Sequence, residues 1–211
     1  MQSPLMLYPD QAAILPLRYY GSISHYATMA AFGKTVICAG ELFDKRRKSV
    51  HRCEIADTHG RIQLTVPVAK PHGIDRARWS DVRVSDHGAW WHVHRVTLES
   101  AYGRTPFFEF YIDRFLQFLN RGVVDRYQSV ADLDMAIDAE IRSILMIDTE
   151  VVADYQCNTP AHTPGLTEAS QMPPYWQVRG SIHGFMADLS VLDLIFNLGP
   201  EAPLYLKSLL K

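Results

Sequence analysis

The chain has 211 residues, of which 47% are hydrophobic and 21% charged, and its formal net charge is -2. These values exclude an intrinsically disordered or fibrous protein and indicate one compact domain spanning residues 1–211. Apolar runs are far shorter than the roughly 20 residues needed to cross a bilayer, and the N-terminus has no signal-peptide pattern, so we expect a cytoplasmic protein of bacterial type without a membrane span.

The first 40 residues predict a strand, a helix and a second strand. The strands are short apolar runs at residues 12–17 and 35–39. Between them, apolar side chains recur at the spacing of one helix face: Ile23, Tyr26, Ala27 and Ala30. This order predicts a right-handed βαβ unit. Residues 19–22 would then lie at the carboxyl end of the first strand, where open α/β sheets bind ligands.

The next segment predicts a β-hairpin around turn-forming residues 57–60. If Ala56 pairs with Arg61, the alternation of side chains along the strand sends Cys53 to the apolar face and Arg52 to the polar face. Cys53 is therefore predicted to be a small core residue rather than a nucleophile. Arg52 is the better candidate for a functional residue.

The sequence divides into a sheet-forming part, residues 1–86, and a mainly helical part, residues 87–211. In the second part, helices are indicated from residue 88 to Tyr102, from Pro106, and from Ser129, which begins a capping-box pattern. We therefore predict an α/β fold in which the βαβ unit and the β-hairpin form a mixed sheet, packed by a helical C-terminal half.

Residues 156–174 contain four prolines and no clear periodicity. A connection of this length inside a compact domain is usually a functional loop or a mobile one. The segment therefore predicts a loop that could cover a site.

Positive charge is concentrated in the first half of the chain. Residues 1–105 hold 14 Lys and Arg against 9 Asp and Glu, and the remainder holds 7 against 14. Most of the excess lies in one basic cluster: Lys45, Arg46, Arg47, Lys48 and Arg52. This cluster indicates either a solvated hairpin end or a site for a phosphorylated small molecule. A nucleic-acid partner is not expected, because the acidic half would repel a long polyanion and no nucleic-acid-binding motif is present.

Motifs for common cofactors and metals do not occur in the sequence. There is no GxGxxG, P-loop, GxSxG, HExxH or kinase signature, so no cofactor is predicted. His92 and His94 are two residues apart and face different sides of a helix, which is the wrong geometry for one metal, and no metal site is predicted. Cys38, Cys53 and Cys157 show no CxxC spacing and are predicted to be reduced thiols.

Several short segments occur in a distinctive order. They are KSVHRCEI at 48–55, LTVPV at 64–68, WWHVH at 90–94, ESAY at 99–102 and PFFEFY at 106–111. In content and order they resemble the WbqC-like protein family, from about residue 14 to residue 206. The tail segments YWQV at 175–178 and DLSVLDLIFN at 188–197 resemble the branch of that family common in Bacteroidetes. The Val50-His51 pair before Arg52 departs from the family pattern.

The resemblance implies a part in making surface polysaccharide of the O-antigen type. On this basis we predict a transferase that acts on an activated, phosphate-bearing donor such as a nucleotide sugar or an acyl thioester. Arg52 and Lys45 would bind phosphate oxygens, and His94 would be the general acid or base because imidazole titrates near neutral pH. Tyr102 and Gln177 would orient the acceptor. The predicted substrate-binding residues are Lys45, Arg52, Tyr20, Trp91, Tyr102 and Gln177.

Simpler structural roles and other functions are also compatible with the sequence. His94 fits a buried histidine bonded to a backbone carbonyl, and Asp188 and Asp193 fit helix caps or solvated positions. One alternative function is a non-catalytic protein that binds a sugar nucleotide or a pathway partner. Another is an acyltransferase or hydrolase that uses Cys53 or Cys157 as its nucleophile. The oligomeric state is not predicted.

Overall fold

A computed structural model describes residues 7–44, 48–70, 73, 76–157 and 168–210. The strands are β1 (Tyr8–Pro16), β2 (Phe32–Cys38), β3 (Arg52–Asp57), β4 (Gly60–Thr65), β5 (Val68–Ala69), β6 (Arg83–Val84) and β7 (Glu150–Asp154). The helices are α1 (Ile23–Ala31), α2 (Trp90–Tyr102), α3 (Phe108–Leu116), α4 (Val123–Arg126), α5 (Val130–Leu145), α6 (Gly180–His183), α7 (Val191–Leu198) and α8 (Ala202–Ser208). Among these described residues, no helix has the length and apolar character to cross a membrane.

Three parallel strands in the order β1-β2-β7 form the largest sheet of the described structure. The helix α1 connects β1 to β2, which confirms the predicted βαβ unit. The strand β7 pairs with the other side of β2, and Cys38 lies opposite Asp154 at the end of this pairing. Because the carboxyl ends of parallel strands share one edge, the turn after β1 opens at the edge where these two residues lie.

The hairpin of β3 and β4 has the predicted register. Ala56 lies opposite Arg61 and Cys53 lies opposite Leu64. The side chain of Cys53 is buried in the core, whereas Arg52 is only half-buried. The alternation argument is therefore confirmed, and Cys53 is a core residue.

The hairpin forms a sheet of its own, where the sequence predicted one mixed sheet. Groups from the helical half of the chain bond to the backbone of β3. The N–H of Ser190 donates to the carbonyl of Glu54 at 2.7 Å, and the N–H of Ala56 donates to the hydroxyl of Tyr102 at 3.2 Å. β3 therefore pairs with β4 and with these groups instead of with the parallel strands. The α/β class with a helical C-terminal half is confirmed, and β5 with β6 forms a third small sheet.

Local signals set the starts of the two longest helices. At α5, the hydroxyl of Ser129 accepts the N–H of Asp132 at 3.1 Å, and the Asp132 carboxylate accepts the N–H of Ser129 at 3.0 Å. This reciprocal pair is the predicted capping box. The helix α2 begins at Trp90, two residues later than predicted, because Ala89 takes a left-handed φ of 43°.

The helix α7 lies at the centre of the core, with seven of its eight residues buried. It packs against α1, α2, α3, α8 and β3, and one hydrophobic cluster extends from Ala13 to Leu209. A helix enclosed on all sides can carry polar groups only where they are bonded internally. Its polar side chains meet this requirement, since the amide of Asn197 donates to the carbonyl of Asp193 at 2.7 Å.

A disulfide joins Cys38 to Cys157, which corrects the prediction that these two cysteines are reduced thiols. The sequence gives no sign of it because the partners are 119 positions apart. The pairing of β2 with β7 brings Cys38 next to Asp154. The Asp154 carboxylate then accepts the N–H groups of Gln156 and Cys157 at 2.7 and 3.0 Å, and this turn returns the chain to Cys38.

Reduction of this disulfide should destabilise the protein, because the bond restricts a long loop in the unfolded chain. We expect the free energy of unfolding to fall by about 2–4 kcal/mol. Urea unfolding with and without a phosphine reductant measures the change. A variant with Cys38→Ala and Cys157→Ala should have the lower stability and no response to reductant. An unchanged midpoint for the reduced wild type would contradict the expectation.

Candidate functional site

A cleft of about 360 Å³ opens where the turn after β1 meets the hairpin and the segment that leads into α7. Its wall combines several hydroxyl groups, two carboxylates, two arginines and two tyrosines. These come mainly from residues 18–22, Ser24, residues 52–54, Gln63, Asp188 and Ser190. The wall thus includes residues 19–22, which the sequence places at the carboxyl end of the first strand.

The side chain of Arg52 is a cation in the lining of this cleft. It is half-buried, and its Nε atom is shielded from solvent without a hydrogen-bond partner among the described residues. A shielded donor without a partner is costly, and more so when it is charged. A guanidinium binds phosphate or carboxylate oxygens two at a time through its planar fork of donors. The cleft is therefore suited to an anion at this position.

Tyr20 forms part of the cleft wall in a backbone conformation that non-glycine residues rarely adopt. Its φ is 42°, and its side chain is buried. The ring packs edge-on against Tyr19 and Phe115, with centroid distances of 4.6 and 5.8 Å. Its carbonyl accepts the hydroxyl of Ser190 at 2.9 Å, whereas its own hydroxyl is buried without a partner in the described part of the chain. Packing and the Ser190 bond hold the turn in this strained form.

Both carboxylates of the cleft already accept hydrogen bonds. Asp188 Oδ1 accepts the N–H of Ser24 at 2.8 Å, and Oδ2 accepts the Ser24 hydroxyl at 2.9 Å. Glu54 accepts from Arg61 and from Gln63, each at 3.2 Å. Asp188 therefore caps α1 from 164 positions away, and its charge occupies the positive N-terminal end of that helix.

Cys53 also contributes to the cleft lining, next to Arg52. Burial raises the pKa of its thiol far above the usual value, and the hydrogen bond between the thiol and Ser190 offsets only part of this increase. The thiol is neutral at physiological pH and is a poor nucleophile in that form. With Cys157 held in a disulfide, the geometry gives little support to a cysteine nucleophile.

His94 is buried against the cleft wall and is not part of the lining. Its Nε2 lies 3.1 Å from the carbonyl of Thr65, and its Nδ1 lies 2.9 Å from the hydroxyl of Tyr19. Because a carbonyl only accepts, Nε2 carries the proton and Nδ1 accepts from Tyr19. Burial lowers the pKa of His94 to about 4, although the bond to Thr65 acts in the opposite direction. The imidazole is therefore neutral near pH 7, with both nitrogens bonded.

Tyr102 and Gln177 meet in a buried hydrogen-bond network around Asp193, apart from the cleft lining. The Tyr102 hydroxyl donates to the Asp193 carboxylate at 3.0 Å, the Gln177 amide donates at 2.9 Å, and the Tyr175 hydroxyl donates as well. Burial raises the pKa of Asp193, and these donors counteract that increase. The Gln177 side-chain oxygen also accepts the N–H of Met186 at 2.8 Å. The network holds the segment before α7 in place.

The other two predicted substrate-binding residues are Trp91 and Lys45. Trp91 is half-buried on α2, with the Arg121 guanidinium carbon 5.8 Å from its ring centroid, and it is not part of the cleft lining. The preceding residue, Trp90, is buried instead. Lys45 lies outside the described residues.

Three polar residues of the cleft are not among the predicted substrate-binding residues: Ser22, Ser24 and Asp188. The two serines follow the first strand of the predicted βαβ unit, so their position was a usable signal. Asp188 gave no such signal, because nothing in the sequence indicates that it reaches α1. Within the described ranges, no three His, Cys, Asp or Glu side chains lie close enough to hold a metal ion.

The buried His94 should make stability depend on pH. Its pKa is about 4 in the folded protein and about 6.5 in the unfolded chain, so the unfolded state binds a proton first as the pH falls. The stabilising contribution is complete above pH 6.5 and is lost progressively toward pH 4, by about 3 kcal/mol. In His94→Gln, which cannot titrate, this part of the loss should be missing.

Urea unfolding between pH 4 and pH 8 measures this difference. His92→Gln removes the exposed histidine two residues earlier on the same helix and controls for loss of an imidazole. Identical pH dependence for the wild type and His94→Gln would show that burial of His94 does not shift its titration.

The comparison with known families covers most of the chain. A sequence model of the WbqC-like protein family matches residues 17–166, which include the turn after β1, the hairpin and the helices α2 to α5. No curated protein and no solved structure matches the chain. The match does not resolve a branch of the family, so the Bacteroidetes branch stays a prediction. The chain belongs to the WbqC-like protein family.

Proposed function

We propose that this WbqC-like protein is a transferase in the biosynthesis of surface polysaccharide of the O-antigen type. Its donor is an activated, phosphate-bearing small molecule, such as a nucleotide sugar or an acyl thioester, bound in the cleft beside the turn after β1. The observation that supports the proposal best is the Arg52 side chain, which lines this cleft with a shielded Nε that has no partner among the described residues. Family membership supplies the connection to polysaccharide synthesis.

The charge of the cleft supports an anionic ligand at Arg52. Asp188 and Glu54 are both bonded to other protein groups, so neither carboxylate satisfies the guanidinium. Arg18 adds a second cation to the lining. A phosphate group would accept two donors from the guanidinium of Arg52.

The role of His94 as general acid or base stays a prediction. Since both of its nitrogens are bonded, we favour a positioning role in which His94 orients Tyr19, a residue of the cleft wall. Tyr20 would shape the donor site directly. Tyr102 and Gln177 would affect acceptor binding only indirectly. Their hydrogen bonds to Asp193 hold the segment before α7, and that segment lines the cleft. A role for Trp91 at a more distant part of the substrate is likewise a prediction.

A second candidate function is a protein that binds the same ligand without turnover. The observation in its favour is that both carboxylates of the cleft are engaged in hydrogen bonds and that none of its described lining residues is a histidine. The two candidate functions are distinguished by incubating the protein with pathway intermediates and analysing the mixture by mass spectrometry. A transferred group supports the transferase, whereas binding without product supports the second candidate.

A cytoplasmic location would suit a protein that uses activated donors, and we propose it for this chain. The disulfide between Cys38 and Cys157 weighs against this location, because cytoplasmic thiols are kept reduced. In the cytoplasm the pair would be a dithiol. Alkylation of freshly lysed cells, followed by mass spectrometry of the two cysteines, distinguishes these states.

Removing the Arg52 charge should abolish binding without harming the fold. In Arg52→Gln we expect an unchanged or slightly higher melting temperature, because a half-buried cation whose Nε has no partner among the described residues is replaced by a neutral group. A donor present at 100 times its dissociation constant should stabilise the wild type by about 2.7 kcal/mol, which is about 5–10 °C for a chain of this size. The variant should show no such shift.

Thermal unfolding with nucleotide sugars, coenzyme A thioesters and free nucleotides provides the measurement. Arg95→Gln, an exposed arginine on α2, controls for the loss of one positive charge and should respond to ligand like the wild type. If none of these ligands raises the melting temperature of the wild type, the proposed donor site is wrong.

A further inference from the structure

We infer that the cleft takes a sugar phosphate, with the phosphate at Arg52 and the hydroxyl or amine groups of the sugar at Asp188. The inference rests on the proposed function and narrows its substrate class. It selects a sugar donor over an acyl thioester, and it assigns Asp188 a role in recognition besides its role as a helix cap.

The Asp188 carboxylate retains capacity to bind a ligand. Each of its oxygens accepts one hydrogen bond from Ser24. An ionised carboxylate has about four acceptor positions, so about two are left for donors in the cleft. The lining includes Asp188, Ser24 and Ser22, and the Ser22 hydroxyl is 2.9 Å from that of Ser24. These groups form a polar wall that can bind hydroxyl or amine donors.

A ligand that carries only negative charge fits this wall poorly. Helix N-termini often bind phosphate, but at α1 the Asp188 carboxylate already holds that position. A second anion there would meet a like charge at short range. The phosphate is therefore directed to Arg52, and the groups that face Asp188 must be hydrogen-bond donors.

A sugar phosphate combines these two features within one small molecule. Its phosphate is an anion for Arg52, and its ring hydroxyls or amine are donors for a carboxylate. A thioester group has no hydrogen-bond donor to offer Asp188.

The size of the cleft supports the same ligand class. Pockets for small molecules range from about 300 to 1,000 Å³, and about 360 Å³ is near the lower limit. A space of this size encloses a single sugar phosphate better than an entire nucleotide sugar. In a nucleotide sugar, the nucleoside would extend out of the cleft.

Asp188→Asn is the variant that tests the inference. Asp188 has a φ of 52°, a left-handed conformation that Asn tolerates well, and the Asn oxygen can still accept the N–H of Ser24. The variant therefore keeps the cap and loses the charge. Asp57→Asn makes the same change in the hairpin turn, outside the cleft lining, and serves as the matched control.

Calorimetric titration with defined probes gives the readout. The probes are a panel of hexose and aminohexose 1-phosphates, cyclohexyl phosphate, inorganic phosphate, UDP and coenzyme A. On the wild type, at least one sugar phosphate should bind ten times more tightly than cyclohexyl phosphate, which has a similar ring and no hydroxyls. Asp188→Asn should lose this preference, while its affinity for inorganic phosphate is unchanged or higher. Arg52→Gln should bind neither the sugar phosphate nor inorganic phosphate. Asp57→Asn should behave like the wild type.

The outcomes separate the inference from the proposed function. If UDP or coenzyme A binds through Arg52 and no sugar phosphate is preferred over cyclohexyl phosphate, the donor site stands and the inference is overturned. Unchanged sugar-phosphate affinity in Asp188→Asn overturns it as well. If no probe binds the wild type, both the inference and the proposed donor site are wrong. The comparison of sugar phosphates with cyclohexyl phosphate needs only wild-type protein, so it decides the inference even if Asp188→Asn does not fold.

Discussion

The structure of the cleft depends on one long-range contact, in which the segment before α7 bonds to the turn and helix that follow β1. The N–H of Ile23 donates to the carbonyl of Leu189 at 3.0 Å, and the N–H of Val191 donates to the carbonyl of Gly21 at 2.9 Å. Asp188 caps α1 beside these bonds. Because one short segment satisfies the start of α1 and also bonds to β3, the sheet, the hairpin and the helical half meet at a single place.

This contact also decides the electrostatics of the cleft. It inserts the carboxylate of Asp188 at the end of α1, where a free helix N-terminus would otherwise attract an anionic ligand. The positive charge of Arg52 lies on the hairpin side of the cleft, and Arg18 is a second cation in the lining. On the hairpin, Arg61 pairs with the Glu54 carboxylate, so Arg52 and the Asp188 carboxylate at α1 give the cleft a polarity. A ligand with a phosphate at one end and hydroxyls at the other matches that polarity.

The parts of the fold that could be predicted are those specified by local pattern. Alternation along the hairpin was enough to assign Cys53 to the apolar face and Arg52 to the polar face, because a one-residue shift would exchange their faces. The cap at Ser129 follows from its neighbours in the same way. The disulfide of Cys38 and the capping of α1 by Asp188 depend on contacts between distant segments, which no local pattern encodes. The sequence therefore predicted half of the cleft, namely the turn after β1 and the hairpin.

The cleft contains several departures from the usual rules of stable structure. Among the described residues, four non-glycine residues have a positive φ, and two of them, Tyr20 and Asp188, line the cleft. The shielded Nε of Arg52 and the hydroxyl of Tyr20 are both without partners in the same described structure. Elsewhere in the core, Asp193 is densely bonded, whereas both carboxylate oxygens of Asp134 also have no hydrogen-bond partner among the described residues. Strain and missing hydrogen bonds lower stability, and they are retained mainly where a ligand supplies the missing interaction. Their coincidence with Arg52 in one cleft supports the proposal that the ligand of this protein binds there.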